Sequence, residues 1–109
     1  MEIREKIENK VNELVELELE RAKEKHGEKF NSKMEAYGVF KEEIEEAQED
    51  IEYIFANLDV FWEAIRGKTT ETNMLKNINK IEYISKLLIQ EAAQISAMAL
   101  KYKKTFEED

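Results

Sequence analysis

The chain contains no cysteine and no proline, and only three glycines, at positions 27, 38 and 67. Without cysteine there are no disulfides, thiolate zinc sites or cysteine nucleophiles, which fits a cytoplasmic protein. Without proline, and with glycine scarce, the usual punctuation of strands and tight turns is missing, so long helices are expected. Histidine occurs once, as His26, with no partner motif around it; it reads as decoration of a helix end. No apolar run approaches the length of a membrane span, and Met1-Glu2-Ile3-Arg4-Glu5-Lys6 lacks the apolar segment of a signal peptide. Positive charge is also short: the net charge of −8 disfavours nucleic acid polymers and anionic membranes as partners.

What remains is a chain of 109 residues, 42% hydrophobic and 39% charged. That length implies one domain, 1–109, and a small helical chain so rich in charge is expected to complete its core as a homodimer or homotetramer. The expected fold is all-α, a three-helix antiparallel bundle completed by oligomerisation. Ile3, Ile7, Val11 and Leu14, with Val15, Leu19 and Ala22 beside them, predict a helix over 2–26 that stops at Gly27. Ser32-Lys33-Met34-Glu35 reads as a capping box opening a second helix, 32–66. Unbroken, that helix would be about 50 Å long, so a kink near Ala56-Asn57 is expected. Gly38 inside it either admits a close neighbour or is tolerated. Gly67 to Asn73 form a polar loop. Gly67-Lys68-Thr69-Thr70 is not a phosphate-binding loop, because Phe61 and Trp62 stand where its upstream glycine belongs and no strand precedes it. A third helix is expected over 74–104, with a charged tail from Lys103 that frays.

Two acidic stretches carry the functional reading. In Glu42-Glu43-Ile44-Glu45-Glu46, helical spacing aligns Glu43, Glu46 and Asp50 on one face, with Val39 a turn before. The apolar series Phe40, Ile44, Ala47, Ile51, Ile54 and Leu58 runs beside them. Carboxylates at the edge of a buried stripe repel one another, and a hard divalent cation is the natural remedy. The competing reading is a solvated Glu-rich face. In the third helix, Ile81, Ile84, Leu88, Glu91, Ile95, Met98 and Tyr102 follow steps of three and four, so Glu91 falls inside the apolar series with Gln94 one turn on. Lys86 or Lys101 is the ordinary partner for such a carboxylate. Ala92, Ala93, Ser96, Ala97 and Ala99 suggest a close helix contact. Phe55, Leu58, Phe61, Trp62 and Ile65 read as core or dimer interface.

The order Glu-Glu-x-x-Glu, then Glu91-x-x-Gln94 in a small-residue setting, resembles the MazG-like all-α nucleoside triphosphate pyrophosphohydrolases. The likeness spans about residues 30–103. It is nearest to the short bacteriophage and Gram-positive type, through Glu35-Ala36-Tyr37-Gly38-Val39 and Phe61-Trp62-Glu63-Ala64. The resemblance implies magnesium held by Glu43, Glu46, Glu91 and Gln94. Glu42, at the first motif position, or another nearby carboxylate would orient or deprotonate water; Lys33, Lys41 and Arg66 are available to the phosphates, none specified by the motif, and Tyr37 and Trp62 to stack on the base. Where the family has Asp, this chain has Gln94, an oxygen donor without charge. The expected activity is magnesium-dependent release of pyrophosphate from a nucleotide, weakened by that change. The alternatives are an inactive nucleotide-binding protein, such as a phage counter-defence protein sequestering a nucleotide signal in the host cytoplasm, and a structural helical bundle.

Overall fold

The structure, a computed structural model, describes residues 2–68 and 70–107. Thr69 of the polar loop and the last two residues of the charged tail lie outside the described residues. The chain is all-α: helix α1 spans Ile3–His26, α2 spans Lys33–Glu63 and α3 spans Glu71–Phe106. A wide helical turn, Ala64–Lys68, follows α2 and is broken at Gly67. No strand occurs among the described residues, and none of their helices is long and apolar enough to cross a membrane.

Local chemistry sets the helix ends. Gly27, at φ 83, ends α1 and donates its N–H to the Lys23 carbonyl at 2.9 Å; an L-residue pays steric strain at that φ. Ser32 caps α2, its Oγ accepting the Glu35 N–H at 3.0 Å. The reciprocal half of the cap goes one residue further back. Glu35 accepts the Asn31 backbone N–H at 3.2 Å and the Asn31 side-chain amide at 2.9 Å. First that backbone bond and then the side-chain bond hold the Glu35 carboxyl below its usual value, with Lys101 and His26 adding to the effect.

Three boundaries differ from the sequence reading. α2 does not kink at Ala56–Asn57 but runs unbroken to Glu63, where the Asn57 side-chain amide reinforces the helix by donating to the Tyr53 carbonyl at 2.9 Å. α3 starts at Glu71, not near Met74, because Thr70 Oγ1 accepts the Asn73 N–H at 3.2 Å and acts as N-cap. Its end does not fray at Lys103. Thr105 Oγ1 donates to the Lys101 carbonyl at 2.8 Å, and the Phe106 ring packs 4.8 Å from that of Tyr102.

The chain divides into two compact units, Met1–Ile44 with Gln90–Asp109, and Glu45–Ile89. In the first, Val15 and Leu19 of α1, Phe30, Ala36 of α2, and Ala93, Ala97 and Met98 of α3 form the core. Of the small residues in α3, Ala93 and Ala97 make the close contact, with Ala97 fully buried; Ala92, Ser96 and Ala99 face solvent. Phe30 closes this core from the α1–α2 connection. Its N–H donates to Thr105 Oγ1 at 3.0 Å, and the Lys101 ammonium, on a residue 2% exposed, lies 4.5 Å from its ring centre.

The second unit is a helical hairpin, and its interior is different. Among its described residues Ala64 and Ile84 are buried, with Ile54, Phe61, Met74, Ile81, Leu87 and Leu88 half-buried, alongside the buried Asn57 and Asn77. The Asn77 side-chain amide, like that of Asn57, donates to a carbonyl one turn back, that of Asn73 at 3.0 Å. The stripe read from the sequence as running beside the acidic face is covered in part: Phe40, Ala47 and Ile54 are half-buried, while Ile44, Ile51 and Leu58 are exposed.

Two outcomes follow. A Cβ at Gly38 meets nothing within 4 Å, so no close neighbour explains the glycine. Gly38→Ala should stabilise the chain by about 1 kcal/mol, a higher midpoint in thermal unfolding; an unchanged or lower midpoint contradicts the open site. The depressed Glu35 pKa contributes stability that is fully present above the ordinary glutamate range and is lost as pH falls through the lower folded value. Glu35→Gln should therefore unfold at a lower temperature than the parent at neutral pH, and the gap should close in strong acid. A gap independent of pH would rule out the carboxylate cap.

Candidate functional site

The acidic face of α2 is graded along its length. Glu43 is half-buried, Glu46 is exposed and Asp50 is half-buried again, as steps of three and four from Val39 place them on one side. Glu42 and Lys41 are exposed, as is Tyr37. On α3, Glu91 and Gln94 are both half-buried between Leu88, Ile95 and the buried Met98. The register read from the sequence thus places Glu91 inside the apolar face.

Glu43, Glu91 and Gln94 belong to the first unit, with Glu42, Tyr37 and Lys41. Glu46 and Trp62 belong to the second, and Trp62 is 56% exposed there. Glu43 and Glu91 each turn one carboxylate oxygen, Oε2, away from solvent. A carboxylate oxygen withdrawn from water is costly unless positive charge or a donor compensates it. Lys86 pairs with Glu82 at 4.0 Å, and the Lys101 ammonium lies over the Phe30 ring. Among the described residues, no three Asp, Glu or His side chains are gathered closely enough to hold an ion. Carboxylates a turn apart repel, and drawing them together requires a cation.

Asp50 was aligned with Glu43 and Glu46 by register but not placed among the ligands. Its Oδ2 is shielded from solvent and accepts no hydrogen bond among the described residues. It lines an open groove of about 520 Å³ in the hairpin, with Tyr53, Asn79, Lys80, Tyr83 and Ile84. The signal in the sequence was the step of four from Glu46. What hid it was that a third acid in a Glu-rich helix reads as surface. The burial of Asn57, Asn77 and Lys101 had no signal beyond their register.

Comparison of the chain with models of protein families, with curated proteins and with solved structures returns no match.

Asp50→Asn removes a shielded charge at constant shape and supplies a donor. It should raise stability by about 1 kcal/mol at neutral pH, measured by chemical unfolding. A clear loss would show that the carboxylate is compensated by a group that the fold supplies.

Proposed function

We propose that the chain is a MazG-like nucleotide-binding protein with weak magnesium-dependent pyrophosphohydrolase activity. The observation that supports this most is the pair of carboxylates set into apolar helix faces of one unit, Glu43 on α2 and Glu91 on α3, each with an oxygen turned from solvent. The donors in the first unit suit the ion: Glu43 and Glu91 offer carboxylates and Gln94 an amide oxygen, all hard ligands. Magnesium bound there would neutralise phosphate charge and so favour attack at phosphorus. Glu42, exposed beside Glu43, orients or deprotonates the water. Lys41 and Tyr37, both exposed, supply a cation for phosphate and a ring for the base.

The second reading, a nucleotide-binding protein without turnover, is favoured by one residue. Gln94 stands where the family resemblance expects Asp, so the set carries one negative charge fewer and polarises water less. Such a protein would sequester a nucleotide, as a phage-encoded protein does when it removes a host signal.

One experiment separates these readings. Pyrophosphate release and thermal stabilisation are measured against a nucleotide panel, with and without magnesium. Nucleotide that binds the native state should raise the unfolding midpoint by several degrees at saturating concentration. Gln94→Asp should raise magnesium-dependent turnover at least tenfold, and Glu91→Gln and Glu43→Gln should abolish the magnesium requirement for binding. Silence in both assays, in the parent and in Gln94→Asp, would remove the nucleotide reading altogether.

A further inference from the structure

The groove in the hairpin Glu45–Ile89 takes one tyrosine from each helix, Tyr53 of α2 and Tyr83 of α3, with the buried Ile84 also in its lining. Both rings are largely exposed, at 60% and 65%. Asp50 precedes Tyr53 by three residues and so shares its side of α2. The shielded Oδ2 of Asp50 accepts no hydrogen bond, and no ion pair ties the carboxylate to Lys80, among the described residues. Asn79 supplies a neutral amide to the lining, and Lys80 is exposed beside it. A carboxylate oxygen held from water costs free energy until a donor meets it. The groove therefore combines an unanswered acceptor with two uncovered aromatic rings.

We propose that this groove binds a guanidinium group, on a molecule that carries a carboxylate beyond it. Four considerations choose that ligand. First, charge favours a cation. From Glu45 to Glu63, α2 carries acidic residues and no basic one, in a chain of net charge −8, so cations are drawn toward Asp50. Second, the donors match. A guanidinium presents its N–H groups in a planar fork that meets both oxygens of one carboxylate. Third, the faces match. The same plane stacks on aromatic rings, and it sheds its hydration more readily than the ammonium of a lysine-type ligand. Fourth, Lys80 opposes a bare cation and pairs with an anionic group set a few atoms away, which is the reason for the carboxylate. A metal ion suits the groove less well. Asp50 and Asn79 are its only side chains with carboxylate or amide oxygens among the described residues, and no three Asp, Glu or His side chains gather there. A purely anionic ligand would meet Asp50 and be repelled. The groove lies within one unit and uses none of the residues assigned to nucleotide or magnesium, so it stands or falls apart from that reading.

Titration of the chain with small probes, followed by NMR of the tyrosine rings, tests this. L-arginine and the peptide acetyl-Gly-Arg-Glu-Gly-amide both carry the guanidinium and a carboxylate, one as a free amino acid and one as a protein segment. At least one should saturate with a Kd of about 1 mM or tighter, a modest affinity suited to a small ligand in an open groove, and should shift the Tyr53 and Tyr83 rings. The tighter of the two identifies the source. Citrulline, the uncharged counterpart of arginine, and lysine should each bind at least tenfold more weakly than arginine. Asp50→Asn should weaken guanidinium binding about 20-fold. Tyr53→Leu and Tyr83→Leu should each weaken it about threefold to tenfold, whereas Phe55→Leu, which removes a similarly exposed ring outside the groove, should not. Lys80→Met should erase the preference for L-arginine over argininamide. Should Asp50→Asn fail to fold, the two tyrosine variants carry the test, since both rings are exposed. The proposal is overturned if neither arginine probe saturates below about 10 mM, which would leave the shielded oxygen of Asp50 to water. It is equally overturned if citrulline or lysine binds as well as arginine, or if folded Asp50→Asn keeps the parent's affinity.

Discussion

The backbone amide of Phe30 finds its acceptor 75 residues away, on Thr105 Oγ1, and the first unit is built around that contact. Thr105 is held in turn by its bond to the Lys101 carbonyl, and the Lys101 ammonium lies over the Phe30 ring. The magnitudes rank these terms. Burying the Phe30 ring gives about 2–3 kcal/mol, and a desolvated cation–π contact about 2. The hydrogen bonds give about 1 each. Packing therefore supplies most of the stability, while the hydrogen bonds fix which rotation of α3 meets the α1–α2 connection. The same rotation sets Ala93 and Ala97 inward, and it turns Glu91 and Gln94 to the half-buried flank of α3.

The two units solve the burial problem differently. The first interlocks small residues with a few large ones, Ala36, Ala93 and Ala97 beside Phe30 and Met98. The second leaves most of its large apolar residues on the outside and keeps two asparagines within. Each of those asparagines gives its amide hydrogen to its own helix, so neither needs a partner across the hairpin for that donor. Polar residues inside an otherwise apolar contact tend to cost stability and to fix one alignment over others.

Helix existence and helix faces were legible because apolar spacing carries them directly. The series from Ile81 to Tyr102 reads on the page as it lies in the structure, Glu91 included. Ser32 and Gly27 were legible as cap and stop for the same reason, each being a local bond. The boundaries that moved depended on hydroxyls: Thr70 starts α3 a turn early and Thr105 extends it into the charged tail. A threonine in sequence does not say which carbonyl or amide it meets. Exposure was the hardest quantity to read. The stripe Ile44, Ile51, Leu58 has the spacing of a core, yet spacing alone does not say whether the surface that covers it is this chain's own. The same limit applies to the carboxylates. Register aligned Glu43, Glu46 and Asp50, but which of them loses contact with water depends on neighbours distant in sequence.

Because residues 1–44 and 90–109 together make up the first unit, that unit is discontinuous along the polypeptide. During synthesis α1 emerges with Val15, Leu19 and Ala22 uncovered, and their counterpart surface on α3, at Ala93, Ala97 and Met98, is translated only after the hairpin. The intervening hairpin, made of local contacts, is able to form earlier. The nascent chain thus carries an unsatisfied amphipathic α1 until α3 has left the ribosome, an interval in which chaperone capture competes with closure.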